Sequence, residues 1–142
     1  SLDRPNTLVD IYAYCLMPNH FHLGLFEKEE RGIEKFMKKL KTAYTMYYNL
    51  KYSHPGTIFQ GKYQFRHVHN EEYLQRVVEY IHVNPFCIAR PELTKEARLE
   101  LRDEAIEFSK DYKYSSFADY LGEARPENSI LYKVGPCTET IT

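Results

Sequence analysis

Two histidines set one residue apart are the first residues in this sequence whose type and spacing suit chemistry. His20 and His22 lie inside the apolar run from Ile11 to Phe26, IYAYCLMPNHFHLGLF. Because side chains alternate between the two faces of a β-strand, both imidazoles are expected to point the same way, roughly 7 Å apart along the strand. This separation allows two ligands to converge on one metal ion. The spacing alone is weak evidence for a metal site, since it also fits two histidines on a half-exposed strand face.

A tyrosine and an asparagine form the second candidate pair. Tyr80 and Asn84 are four residues apart, so a helix would stack them on one side. We expect a phenol and a carboxamide to emerge together from its last turn, beside an apolar stripe formed by Leu74, Val77, Val78 and Ile81. The chain has 13 tyrosines, so a packed tyrosine with its hydroxyl in water remains an alternative. Asn84 alone would be interpreted as a helix C-cap.

A hairpin and four helices are predicted from the sequence, and they would position these side chains. Leu8 to Met17 and the strand with the histidines should pair through a turn at Pro18-Asn19, with the face opposite the histidines, which carries Phe21, Leu23 and Leu25, against the core. The spacing of apolar residues predicts a helix from Ile33 to about Lys51, with a buried stripe formed by Ile33, Phe36, Met37, Leu40, Tyr44 and Tyr47. Thr57 to His69 should be extended, with a strand near its end. Asn70 should cap the next helix and Pro85 should end it near Asn84. Further helices are expected at Glu92–Lys110 and Phe117–Leu121.

Length and composition indicate one soluble globular domain. The chain has 142 residues, of which 43% are hydrophobic and 27% charged. It contains no apolar run near the roughly eighteen residues of a membrane span, and its first residues lack the regions of a signal peptide. Three widely spaced cysteines, Cys15, Cys87 and Cys137, form no disulfide framework, which favours a reducing cytoplasm.

Charge is distributed unevenly along the chain. The net charge is −1, but the segment from Arg31 to His69 carries eight basic residues against Glu34 alone. From Glu92 to Glu107 six acids face three basic residues. Such asymmetry suggests one surface that meets phosphates, although an ordinary solvated helix surface would look the same.

Four motifs together resemble a known family. MPNHFHL, FQGKYQFRHV, YIHVNP and YKYSSFADYLG resemble, in order and spacing, the single-tyrosine transposases of the HUH-endonuclease superfamily, most closely the REP-associated tyrosine transposases. The resemblance covers about Leu8 to Gly122. It therefore implies a transposase-like catalytic domain over residues 1–122 and a C-terminal tail over residues 123–142.

The resemblance implies a role for each candidate residue. Tyr80 would be the nucleophile, and the metal ligands would be His20, His22 and Asn84, holding Mg²⁺ or Mn²⁺. The implied reaction nicks single-stranded or hairpin DNA through a 5′-phosphotyrosine and passes the strand to another 3′-hydroxyl. Candidate phosphate contacts are Lys38, Lys39, Lys41, Lys62 and Arg66. A second H-x-H, His67-Val68-His69, has no counterpart in the motif and is expected to contact DNA.

The family fold is an α+β, ferredoxin-like antiparallel sheet with helices on one face and a C-terminal helix that carries the tyrosine. Only seven residues precede Leu8, so the first strand and helix of that fold are expected to be missing, which would leave the histidine strand at an edge. Three explanations stay open: truncation, a second chain that supplies the strand in a homodimer, or a catalytically inactive DNA-binding remnant. A two-histidine phosphoester hydrolase is a further alternative, against which the lack of a nearby carboxylate argues.

Overall fold

Residues 6–133 are described by the structure, a computed structural model, so Cys137 lies outside the described part of the chain. A β-hairpin comes first and helices follow, which confirms the predicted α+β class. The elements are β1 (Val9–Met17), β2 (His20–Glu27), α1 (Gly32–Tyr52), α2 (Glu71–Ala89), α3 (Lys95–Glu100), α4 (Arg102–Ser109), α5 (Phe117–Tyr120) and a 3-10 helix at Pro126–Ile130. None of the helices in this part of the chain is long and apolar enough to cross a membrane.

The hairpin forms where the sequence predicts it. β1 and β2 pair antiparallel around the turn at residues 18–19. The outer edge of β1 is covered by later chain, because Leu16 N donates to Tyr114 O at 2.8 Å and Ser116 N donates to Tyr14 O at 3.0 Å. Within residues 6–133, β2 has no second strand beside it. The histidine strand therefore lies at an edge of the described sheet, as expected.

The hairpin packs on the core with the opposite face from the one predicted. Residues paired across an antiparallel ladder share a face, and His20 and His22 pair with Met17 and Cys15. Met17 and Cys15 belong to the buried cluster, which also contains Val78 and Ile81 of α2 and Phe117 of α5. Alternation determines which residues share a face, but not which face a helix covers. The residues that were predicted to be core are only partly buried: Phe21, Leu23 and Leu25.

α2 begins as predicted and ends later than predicted. Asn70 caps it, because the Asn70 Oδ1 accepts a hydrogen bond of 2.7 Å from Tyr73 N. Pro85 does not end the helix, which continues to Ala89. Phe86 is buried against Phe108 of α4, with ring centres 5.7 Å apart. Burial of this last turn outweighs the backbone hydrogen bond that the proline removes.

The stripe of α1 is less buried than predicted. Met37 is buried, but Leu40, Tyr44 and Tyr47 are exposed and Leu50 is 83% exposed. Apolar periodicity shows that a helix has one apolar face, and it does not show whether another element covers that face.

Two other predicted elements differ from the structure. The connection between α1 and α2 contains no strand, so the strand predicted near His69 is wrong. The predicted helix Glu92–Lys110 is two helices, since the backbone of Leu101, at φ −98° and ψ 23°, leaves the helical region. α4 then packs on α2 and buries Ala105 and Ile106.

Beyond Gly122 the chain continues to pack on the domain. Leu131 is buried and bridges to Ile11 of β1, and Tyr132 N donates to Ile11 O at 2.8 Å. Residues 134–142 of the predicted tail lie outside the described part.

Candidate functional site

The two histidines of β2 lie side by side. Their ring centres are 5.3 Å apart with the rings nearly perpendicular. His20 is exposed and His22 is partly buried. With metal–nitrogen bonds of about 2.1 Å, two imidazoles at neighbouring coordination positions have ring centres roughly 4.5–5.3 Å apart. The observed separation therefore fits two ligands of one ion.

Asn19 orients the first histidine, a role that the sequence interpretation missed by treating this residue only as part of the turn. The Asn19 Oδ1 lies 2.7 Å from His20 Nδ1. Because a carboxamide oxygen only accepts, Nδ1 is the donor, which in the neutral tautomer leaves the lone pair on Nε2. An outer partner of this kind orients metal-binding histidines. Its signal in the sequence is the polar residue directly before the first histidine.

The electrostatic environment keeps the second histidine neutral. Burial lowers the pKa of His22, and the neighbouring His20 lowers it further. A neutral imidazole offers a lone pair to a metal, whereas an imidazolium does not. The lowered pKa therefore suits ligation at neutral pH.

Tyr80 lies beside the histidine pair although it is far from both histidines in the sequence. α2 packs on the face of the hairpin that carries the histidines. Gly24 of β2 is on this face, and a Cβ atom added to Gly24 would lie 3.4 Å from Ile81 Cδ1. This packing places the Tyr80 ring edge-on to His22, with 5.8 Å between ring centres. Tyr80 remains 51% exposed. The phenol is thus both beside the pair and open to a large substrate.

Asn84 occupies a different environment from Tyr80, which contradicts the prediction that the two emerge together. It lies one turn further along α2 and is 2% exposed. Its three-residue spacing from buried Ile81 places it on the packed side of the helix. It is also not a C-cap, because α2 continues past it. The structure brings His20, His22 and Tyr80 together, and a metal-binding role for Asn84 stays a prediction.

A buried hydrogen-bonded pair links α2 to the hairpin, a contact that the sequence analysis did not predict. His82 Nε2 and Ser116 Oγ share a hydrogen bond of 2.7 Å, and Ser116 Oγ accepts from Tyr14 N at 2.9 Å. The His82 ring stacks on Phe117 with centres 5.1 Å apart. His82 is two residues from Tyr80 on α2. Its contact with Ser116 therefore fixes α2 at the rotation about its axis that turns Tyr80 toward His22. Nothing in the local pattern marks a helical histidine as buried.

The predicted phosphate contacts lie on α1 and the connection that follows it. Lys38 and Lys39 are exposed on α1, and Lys62 and Arg66 are exposed on the connection. Lys41 differs, since its Nζ donates to Gly61 O at 3.1 Å. Farther along the connection, the second H-x-H lies beside a groove of about 350 Å³ at the start of α2, whose lining includes Arg66, His67, His69 and Arg76.

No carboxylate or thiol of residues 6–133 completes the histidine pair. In the part of the chain that the structure describes, no three His, Cys, Asp or Glu side chains group closely enough to hold a metal ion. Among the described residues, amide oxygens are the remaining protein ligands, and water or oxygens of a substrate would complete the coordination. Oxygen ligands are those that Mg²⁺ and Mn²⁺ prefer.

Comparison with known proteins gives one match. The family model described as "Transposase IS200 like" matches residues 5–84, which is more than half of the chain and includes both histidines, Tyr80 and Asn84. Neither the curated proteins nor the solved structures contain a significant match.

Proposed function

Since this chain belongs to the family of IS200-like transposases, we propose that it nicks and rejoins single-stranded DNA through a covalent bond between Tyr80 and a 5′-phosphate. Membership of this family implies processing of DNA. The proposal adds that Tyr80 is the nucleophile, that the substrate is single-stranded and that a divalent metal ion takes part. As in the REP-associated branch that its motifs resemble, the expected substrate is a single strand at or beside a hairpin.

The contact between Tyr80 and His22 carries the proposal. The two residues are far apart in the chain, and the packing of α2 on the hairpin brings their rings to 5.8 Å. An exposed phenol beside two imidazoles is a nucleophile next to a candidate cation site.

The proposed chemistry is a balanced exchange of phosphodiester bonds. The Tyr80 oxygen attacks phosphorus and loses its proton, a P–O bond to Tyr80 forms, and the bond to the 3′-oxygen breaks, so that this oxygen leaves as a 3′-hydroxyl. Attack by another 3′-hydroxyl on the phosphotyrosine reverses the exchange and joins strands. No ATP is needed, because the bond energy stays in a phosphodiester.

The metal would be held by His20 and His22, with Asn84 as a proposed third ligand. When bound, Mg²⁺ or Mn²⁺ would neutralise charge on the scissile phosphate and polarise phosphorus. The chain's own contributions are the orientation of His20 by Asn19, the neutral state of His22 and the direction from which Tyr80 approaches.

The nucleophile is tested by trapping the covalent adduct. The protein is incubated with labelled single-stranded hairpin oligonucleotides and Mn²⁺, and a denaturing gel detects protein bound to DNA. We expect Tyr80→Phe to abolish the adduct. Tyr114→Phe is the matched control, because Tyr114 is 52% exposed and Tyr80 is 51% exposed. An adduct of wild-type yield from Tyr80→Phe would refute the assignment.

The metal site is tested separately. We expect EDTA, His20→Ala and His22→Ala each to reduce adduct formation at least 100-fold, on the order of the loss that a missing electrostatic group causes in catalysis. His54→Ala is the control, since His54 is an exposed histidine on the connection after α1. Full activity in EDTA would exclude the metal-dependent mechanism.

A DNA-binding protein without catalysis is the second candidate. The observation that favours it is the exposed basic surface of α1 and its connection, which would bind DNA without Tyr80. If wild type binds the oligonucleotides in Mn²⁺ and forms no adduct, this candidate replaces the first.

A further inference from the structure

A continuous series of aromatic rings runs from β2 along α1. Phe21 of β2 contacts Phe59 of the connection with ring centres 6.3 Å apart, and Phe59 contacts Tyr44 at 6.1 Å. Tyr44 contacts Tyr47 and Tyr48 at 6.3 and 6.4 Å, and Tyr48 contacts Tyr52 at 4.7 Å. We call this series, formed by Phe21, Phe59, Tyr44, Tyr47, Tyr48 and Tyr52, the aromatic track. None of its members belongs to the proposed cleavage site.

The track lies at the surface and carries cations. Tyr44, Tyr47 and Tyr52 are each half exposed or more. Lys51 Nζ lies 5.7 Å from the centre of the Tyr47 ring and 5.4 Å from that of Tyr52. Lys41 Nζ lies 5.4 Å from the centre of the Phe59 ring. A surface with several exposed rings and lysines between them combines two of the interactions that bind polynucleotides.

The charge around the track favours a polyanion. Between Arg31 and His69 the only acid is Glu34, and Arg31 binds that carboxylate through its Nε and Nη2 at 3.0 and 2.9 Å. Lys38 and Lys39 are exposed on the same helix. An apolar peptide would gain nothing from this charge, whereas a phosphate backbone is attracted by it.

We propose that the aromatic track binds single-stranded DNA, with bases stacked on its tyrosine rings and phosphates near Lys41 and Lys51, whose ammonium groups lie over rings of the track. Stacking requires unpaired bases, because the bases of a duplex are already stacked on one another. From Tyr44 to Tyr52 the helix rises about 12 Å, which is room for roughly three stacked bases. The proposal uses the DNA-processing role of the family and does not depend on the chemistry of Tyr80.

The aromatic track and the proposed cleavage site lie on opposite faces of β2. Phe21 lies between His20 and His22 in sequence and therefore on the opposite face of the strand. DNA on the track would therefore lie on the opposite side of β2 from the histidines. The track would therefore hold the strand outside the nick and add affinity without taking part in the reaction.

Binding of two labelled oligonucleotides tests the proposal. Fluorescence anisotropy compares a twelve-residue oligothymidine with an abasic strand of equal length and charge, both in EDTA. We expect the oligothymidine to bind the full chain more tightly, and Tyr47→Leu to weaken that binding about 5- to 150-fold, the effect of one lost stacking ring. Binding of the abasic strand should change little. Lys51→Gln should weaken the binding of both oligonucleotides by a similar factor, because Lys51 Nζ lies over the rings of Tyr47 and Tyr52.

Tyr114→Leu is the matched control. Tyr114 is also an exposed tyrosine with a lysine over its ring, at 5.0 Å from Lys113 Nζ, but it lies outside the track. Tyr114→Leu should leave the affinities for the oligothymidine and the abasic strand unchanged. Thermal unfolding of each variant checks that the fold is retained.

Two results would overturn the proposal. One is equal affinity for the oligothymidine and the abasic strand, which would mean attraction by phosphates alone. The other is unchanged DNA binding by Tyr47→Leu. If that variant also loses self-association in sedimentation, the occupant of the track is a second copy of the chain. Because these assays need neither metal nor Tyr80, failure of the adduct assay would leave this result standing.

Discussion

Acid should destabilise this protein through one buried histidine. His82 is fully buried, its Nδ1 has no hydrogen-bond partner in the described part of the chain, and burial lowers its pKa to about 3. In the unfolded chain a histidine has a pKa near 6.5. Between these values the unfolded state binds a proton that the folded state does not, so stability falls as pH falls. The contribution of neutral His82 to the free energy of unfolding is fully present above about pH 6.5 and is lost progressively toward pH 3.

The magnitude follows from the two pKa values. At 1.36 kcal/mol per unit, lowering the pH from 7 to 4.5 costs about 2.5 kcal/mol of unfolding free energy through His82 alone. Other groups titrate in the same range, so the quantity to measure is the difference between wild type and His82→Gln, which does not titrate. Subtracting each protein's value at pH 7 removes the effect of the substitution on packing.

The assay is urea unfolding followed by circular dichroism at pH 7, 6, 5 and 4.5. We expect wild type to lose about 2.5 kcal/mol more than His82→Gln over this range. His54→Gln is the control, since it makes the same substitution at an exposed histidine. Parallel curves for wild type and His82→Gln would refute the reasoning, because they would show that His82 binds its proton equally in both states.

Two further predictions concern stability. Asn70→Ala should cost about 1 kcal/mol in urea unfolding, because it removes the cap on Tyr73 N, and an unchanged midpoint would show that water replaces the cap. Asp119→Ala should cost about 3 kcal/mol, because Asp119 is buried and Arg125, itself mostly buried, would lose its carboxylate partner. Glu127→Ala is the control, since Glu127 lies 4.0 Å from Arg125 and is more than half exposed. Equal losses for the two variants would contradict this account.

Local pattern was sufficient to predict the hairpin, the helix cap and the family. Alternation of apolar residues and the Pro18-Asn19 turn predicted the strands, and Asn70 caps α2 as predicted. These features depend on neighbours in the chain, so their signals lie within a few residues. The spacing of the two histidines is of the same kind, since one strand alone places them side by side.

The errors share one physical origin, which is packing between elements distant in the chain. Which face of β2 meets the core depends on α2, and burial of Phe86 carries α2 past Pro85. The exposure of the α1 stripe likewise depends on what surrounds it. A pattern of residue types describes what a segment can bury, and the tertiary structure decides what it does bury.

The same distinction between local pattern and tertiary packing applies to the candidate site. The sequence by itself determined the residue types, namely two histidines on one face of a strand and a tyrosine on a helix. Only the tertiary structure decided that Tyr80 lies beside His22, that Asn19 orients His20, and that Asn84 is buried. The reason is that the packing of α2 on the hairpin involves residues about sixty positions apart, and no local periodicity specifies the rotation at which a helix packs on a sheet.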